Sequence, residues 1–513
     1  MKKTVTHIAR FLPLLLLAAV ACQDSWNRHY SYDKTLGGED LLTTLKAEAS
    51  YSRFVKLIEI AGLQDKLAGS GSYTVWAPHN DFIPDSVYTS GDTALIRDVV
   101  HNHIAYFLHS TAEAYSGSSV MMLNGKYIHF GKGGSEKFAF GGFELDPADR
   151  VCSNGVLHGL AGYVPFEYNL WEYLEKTPEL SLLLQAYNFY DSTYMDRERS
   201  RRIGVDSMGN HVYDTVLIQE NTLLRRIGKI YNEDRNYTMI APTNRAFEQA
   251  FDYYKNYYKS NGGPAVTMNK DSIQRTRTHL ALIRNLIFEG GFETLTDTAV
   301  VSTFGYRFGN PGELFDGRRI ETSNGDLFIV DSLRFDPYEL VYREMVYEVE
   351  KVCTPEDVTT ANYTLLYPGE NTKTQGISGG YFYITESSAS RDPKLTVRFG
   401  DSILSAKYDI YCTIVPGNTE DSTNLEEKTL LDFALSYKNG HFARNLNLNK
   451  AQETHPTELG LVQAGSEVNI PTFDSEVSLT ITIKVPSAQR DKYKRNVRID
   501  NVRLVPAGRS PNF

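Results

Sequence analysis

A chain of 513 residues, 41% hydrophobic and 23% charged, has an ordinary globular composition and length enough for about three to four domains with separate cores. Its net charge of −10 offers no basic face to a phosphate backbone, which argues against a nucleic-acid partner. The 33 tyrosines suit half-buried strands and equally suit a sugar- or protein-binding surface, and composition alone leaves both readings open.

Residues 1–21 read as a signal peptide and 22–36 as a tether. Lys2 and Lys3 give a positive start, and Phe11 to Val20 is apolar but too short to span a bilayer. The ending Ala19-Val20-Ala21-Cys22 resembles a bacterial lipobox, with Ala19 where Leu is usual. That resemblance implies lipidation of Cys22 and an anchor in the outer membrane. The competing reading is an ordinary signal peptide cut near Ala21. Asp24 hints at display on the cell surface, with a periplasm-facing orientation as the alternative. No later stretch is long and apolar enough to cross a membrane.

Leu41, Leu42, Leu45, Phe54, Leu57, Ile58, Leu63 and Leu67 recur at helical spacing, and Gly69-Ser70-Gly71-Ser72 is a turn. Next comes Tyr73-Thr74-Val75-Trp76-Ala77-Pro78-His79-Asn80-Asp81-Phe82. It reads as a half-buried strand ended by proline, an Asn that caps a helix, and an anchoring Phe. Residues 126–143 are glycine-rich and read as hairpins. Ser153-Asn154-Gly155-Val156-Leu157-His158 signals a tight turn between strands.

The same order is written again. Trp171 to Leu184 is helical, and Tyr237-Thr238-Met239-Ile240-Ala241-Pro242-Thr243-Asn244-Arg245-Ala246-Phe247 repeats the first phrase. Ser323-Asn324-Gly325-Asp326-Leu327-Phe328 repeats the second. The spacing from Pro to Asn is about 76 residues in one copy and about 82 in the other, which marks a duplicated domain. Two insertions distinguish the second copy. Asp191 to Asp214 carries a mixed charge run from Asp196 to Arg202 that reads as a solvated face, with a docking loop as the alternative. Asp252 to Met268 holds Tyr253, Tyr254, Tyr257 and Tyr258, which either pack against the domain or form an exposed patch.

These paired phrases, with Val99-Val100-His101-Asn102-His103-Ile104 between them in the first copy, resemble the fasciclin-like domain over roughly residues 37–340. The second copy departs at Asn285, where the family has His, and the first is one residue short before Phe82. The resemblance implies two α+β domains, 37–167 and 168–340, with His103 packed in the core. It also implies a role in adhesion. Bacterial lipoproteins of this kind accompany TonB-dependent transporters and SusD-like partners.

Residues 341–513 change character. Strands are expected at 380–385, 395–399, 407–415, 429–437, 477–485 and 496–505, the spacing of an all-β sandwich. The ending Arg498-Ile499-Asp500-Asn501-Val502-Arg503-Leu504 resembles the last strand of galactose-binding-like and jelly-roll carbohydrate-binding modules. In such modules an acidic residue there often neighbours a structural calcium; Asp500 holds that position, but no metal ligand is expected here. Of the remaining cysteines, Cys152 reads as a buried apolar side chain, and Cys353 and Cys412 leave a bridge open.

No G-x-S-x-G, H-E-x-x-H, Walker or C-x-x-C motif is present, and Glu426-Glu427 are adjacent in a polar loop rather than facing each other. His101 and His103 diverge on a helix. The expectation is a non-catalytic binding protein with no cofactor and no motif-defined ligand residues. It would be an accessory of a glycan or peptide uptake complex, with a surface adhesin or a glycan-degrading enzyme hidden in 341–513 as alternatives.

Overall fold

The computed structural model describes residues 38–511 except 115–117, 133–136, 262–268, 295–298, 310, 334, 370–375, 378, 401–402, 418–426 and 440–441. Cys22, the signal segment and the tether lie outside the described residues. Two compact units form. The first holds residues up to 171 with 230–236 and 322–324, and the second holds 172–229, 237–321 and 325–513.

In the first unit, α1 (Ser52–Ala61) turns Phe54, Val55, Leu57, Ile58 and Ala61 inward and stops at Gly62, whose φ of 73° closes the helix. A four-stranded sheet follows in the order β2 (Ile104–Tyr106), β1 (Tyr73–Pro78), β4 (Gly155–Leu160), β3 (Arg150–Cys152). β1 and β4 run parallel, Tyr73 opposite Gly155 through Pro78 opposite Leu160. β1 is not the half-buried strand its alternation suggests: all six residues are buried. One face, with Val75 and Ala77, packs on the helices, while Trp76 on the other joins Phe130 and Phe140 of the glycine-rich hairpins.

The turn between β3 and β4 is fixed by one side chain. The buried Asn154 carboxamide accepts from Leu41 N at 2.9 Å and donates to Leu67 O at 2.7 Å and Gly69 O at 2.8 Å. A Cβ on Gly155 would stand 2.2 Å from Tyr73 O, so only glycine lets the two strands meet here. Asn324 repeats the device, accepting from Leu170 N at 2.9 Å and donating to Ile230 O and Asn232 O, each at 2.8 Å.

The second unit contains the second copy of the sheet, in the order β6 (Ile287–Glu289), β5 (Tyr237–Pro242), β8 (Gly325–Val330), β7 (Arg318–Thr322). Its parallel register, Tyr237 opposite Gly325 through Pro242 opposite Val330, matches the first.

Three details depart from the sequence reading. Asn80 and Asn244 do not cap the helices that follow them; they reach back to the start of an earlier one. Asn80 accepts from Arg53 N at 2.8 Å and donates to Ala49 O and Ser52 Oγ, and Asn244 makes the same set with Leu182 N, Pro178 O and Ser181 Oγ. The cap of α2 (Asn244–Tyr254) is the Thr243 hydroxyl. Phe82 does not anchor its segment. Phe247 is buried in α2, whereas the shorter first copy makes only a single turn at Asn80–Phe82, leaving Phe82 46% exposed and Ile83 in the buried place.

His103 is packed as the family resemblance implies: Nδ1–H donates to Val99 O at 2.9 Å and Nε2 accepts from Val164 N. Burial holds its pKa down to about 4, so it is neutral at physiological pH. In the second copy, Asn285 is likewise fully buried and accepts from Ser302 Oγ at 3.0 Å.

Residues from 345 onward form two antiparallel sheets that share one core. The first runs β10 (Ala361–Leu366), β11 (Tyr381–Glu386), β18 (Asn496–Pro506), β13 (Lys407–Val415), β16 (Gly460–Asn469), with β9 (Met345–Glu348) also paired to β18. The second runs 358–359, β12 (Lys394–Arg398), β17 (Glu476–Ile483), β14 (Leu430–Asn439), β15 (Phe442–Asn447). Along β17, Val477, Leu479, Ile481 and Ile483 point inward and Ser478, Thr480 and Thr482 outward, the alternation that made these strands legible. The described cysteines are free: Cys412 faces the core and forms no bridge with Cys353.

Removing either turn carboxamide leaves one buried N–H and two carbonyls without partners. Asn154→Ala and Asn324→Ala should each cost about 3 kcal/mol or more. Denaturant unfolding checks the magnitude. Losses below about 1 kcal/mol would show that the turn is not held this way.

Candidate functional site

The last strand, β18, carries three polar clusters along its length. At its start, Asn496 and Arg498 point out of the sheet. The Arg498 guanidinium lies 4.1 Å over the Tyr383 ring and 3.7 Å from Glu427 Oε2, and Asn496 Nδ2 donates to the same Glu427 oxygen at 3.0 Å. Glu427 is thus engaged in an ion pair, and its chain neighbour Glu426 lies outside the described residues.

The second cluster sits where β18 changes partners. Ile499 pairs with Phe382 of β11, whereas Asn501 pairs with Glu348 of β9. On the other edge Thr413 pairs with Asn501 and Ile414 with Ile499, so Asp500 is a bulged extra residue. Asp500 is fully buried. Its Oδ2 accepts from Asn501 Nδ2 at 2.8 Å, and its Oδ1 has no hydrogen-bond partner. Glu348 Oε2 and both Glu350 carboxylate oxygens are also buried without partners. Burial, with the Glu348 and Glu350 charges, pushes the Asp500 carboxyl up to about 8, against the pull of Arg503.

The sequence resemblance raises calcium at this place. Among the described residues, no three His, Cys, Asp or Glu side chains group as metal ligands, so side chains alone do not complete a shell. Asp500, Glu348 and Glu350 therefore do not form a calcium site.

The third cluster is a cavity of about 710 Å³ at the end of β18, within the second unit. Its wall is drawn from the second repeat and from the sandwich: Tyr306, Tyr338, Tyr342, Arg343, Glu344 and Arg509 carry its chemistry. Tyr338 and Tyr342 stack with centroids 5.4 Å apart, and the Tyr342 hydroxyl accepts from Ala507 N at 3.1 Å. These residues come from three separated segments, with no motif joining them.

The remaining expectations resolve locally. The 191–214 insertion forms exposed hairpin strands, 191–195 paired with 217–221 and 201–205 with 211–214, and Arg199 bridges Asp196. Among the insertion tyrosines, Tyr254 and Tyr258 are buried, so they pack rather than form a patch, and Tyr253 is exposed. No helix among the described residues is long and apolar enough to cross a membrane.

Fold and site together define a multidomain protein built from a duplicated α+β repeat and a two-sheet β module. The first repeat is a fasciclin domain: residues 49–162 match that family's model. Solved structures with resemblance include a FAS1 domain pair from the insect cell adhesion molecule fasciclin I, at 12% identity over 57% of this chain and 99% of that one, with a TM-score of 0.22. A CBM22 tandem from Paenibacillus barcinonensis Xyn10C resembles 31% of this chain and 49% of its own at 7% identity and a TM-score of 0.20. An enzymatically active tailspike domain of bacteriophage CBA120 resembles 32% of this chain and 18% of its own at 6% identity and a TM-score of 0.17.

A raised carboxyl pKa favours the fold while the group is protonated, below its ordinary value, and that contribution is lost as pH rises through about 8. Asp500→Asn should therefore gain on the parent protein as pH rises from 4 to 8. Thermal unfolding across that pH range checks it, and parallel profiles for the two proteins would show that Asp500 is not a buried, protonated carboxyl.

Proposed function

We propose that this is a non-catalytic, lipid-anchored outer-membrane protein that binds a glycan or peptide ligand. In this reading it serves as an accessory of a TonB-dependent transporter and its SusD-like partner. The supporting observation is the tyrosine- and arginine-lined cavity of about 710 Å³, a volume within the roughly 300–1,000 Å³ range of small-ligand sites. Its polar wall favours a hydroxyl-rich ligand: tyrosines offer both a ring and a hydroxyl, and the arginines offer fixed donors. The lipobox-like Cys22 supports the anchor. The fasciclin domain, which precedes the cavity-lining residues in the sequence, would act as spacer and docking surface.

A second reading, a surface adhesin, is favoured by the fasciclin domain itself. Gentle extraction of the native protein from its own membranes separates the two. The uptake reading expects a transporter and a SusD-like lipoprotein to co-purify in stoichiometric amounts. Recovery of the protein alone, with cell attachment lost and growth unchanged on its deletion, would replace it with adhesion.

A further inference from the structure

We propose that the cavity at the end of β18 selects an anionic saccharide, with the sugar's carboxylate or sulfate group held by Arg343 and Arg509. The inference rests on the glycan-binding reading above and adds the charge of the ligand.

Charge accounting carries the argument. Of the acidic and basic side chains on the wall, Glu344 is already neutralised: its Oε1 lies 3.0 Å from Arg503 Nη1, and both side chains are largely buried. Arg343 and Arg509 are exposed, and neither has a carboxylate partner among the described residues. The cavity therefore carries two uncompensated positive charges on a chain whose net charge is −10. An acidic protein repels anions in general, so an anion that binds it needs a local site of this kind.

Geometry makes the two charges usable. The Arg343 guanidinium carbon lies 4.6 Å from the Tyr306 ring centroid, and that of Arg509 lies 4.1 Å from the Tyr338 centroid. A guanidinium lying over an aromatic ring keeps its N–H edge free, and the stacking limits its rotation. A planar carboxylate or a sulfate can then be met by two parallel N–H donors, the strongest hydrogen-bond arrangement a side chain offers. The Tyr342 hydroxyl, accepting from Ala507 N, keeps its own proton to donate to a sugar oxygen. A neutral sugar would use the tyrosines but would leave both arginines without a counter-charge.

The test is calorimetric titration of the full-length protein with three probes: an oligogalacturonate, a sulfated galactan oligosaccharide and a neutral galacto-oligosaccharide. Arg343→Gln and Arg509→Gln are measured beside the parent, and circular dichroism confirms that these surface variants are folded. At least one anionic probe should bind, with the neutral one at least about tenfold weaker. Each glutamine should weaken anion binding about tenfold or more. The binding should also fall as salt rises. Which anionic probe binds decides between carboxylate and sulfate. Equal binding of the neutral probe, or anion binding unchanged in both variants, would overturn the inference and leave a glycan-binding protein standing. No binding by any probe would overturn the inference and remove support for the glycan reading as well.

Discussion

Tyrosine packing joins the second repeat to the β-sandwich, and the cavity exists because of it. Tyr258 and Ala281 of the repeat belong to the same buried cluster as Phe433, Leu479 and Val502 of the sandwich. Tyr257 meets Tyr342 at 5.4 Å, Tyr342 meets Tyr408 at 5.3 Å, and Tyr258 meets Phe473 at 5.5 Å. Backbone bonds run alongside, from Ser405 N to Tyr257 O and from Phe473 N to Lys259 O. A shared apolar core with paired polar groups makes two folds of different class into one cooperative body. The cavity wall needs Tyr306 from one fold and Arg509 from the other, so it keeps its shape only while that body stays closed.

The repeats themselves depend on a smaller constraint, used twice. In each, one buried carboxamide in a Ser-Asn-Gly turn holds the segment that opens the repeat and the loop before the central strand. The adjacent glycine admits a backbone oxygen where a Cβ would stand 2.2 Å from it in one copy and 1.8 Å in the other. Such positions accept no other residue, which explains how the two phrases stay recognisable while the segments between them diverge. The second copy replaces the buried His103 with Asn285, whose Oδ1 accepts from Ser302 Oγ.

Much of the fold was legible because it follows periodicity. Strand β13 was expected at its observed bounds, and the inward residues of β17 were readable from alternation. β16 was missed because Gly460, Gly465 and Ser466 interrupt its pattern and its pairing to β13 shifts register. The burial of β1 on both faces was missed because alternation reports chemistry, not how many layers cover a strand. Asn80 and Asn244 misled because a cap can be supplied from a distance, and local sequence shows only the local candidate. Asp500 stood out through its strand, though only the bulge explains why it is buried without a partner for Oδ1. The cavity was not legible at all. Arg343 and Arg509 are exposed charges outside helices and strands, and their meaning comes from Tyr306 and Tyr338, which folding brings to them from elsewhere in the chain.

The central claim is that the second repeat and the sandwich unfold as one body around the tyrosine packing. Hydrogen exchange on the intact chain carrying Tyr258→Ala tests it most directly. Truncation of this buried ring should cost about 3 kcal/mol or more. The account predicts that β13 and β17 of the sandwich lose protection together with α2 of the repeat. Full protection retained in the sandwich, with loosening confined to the repeat, would contradict it.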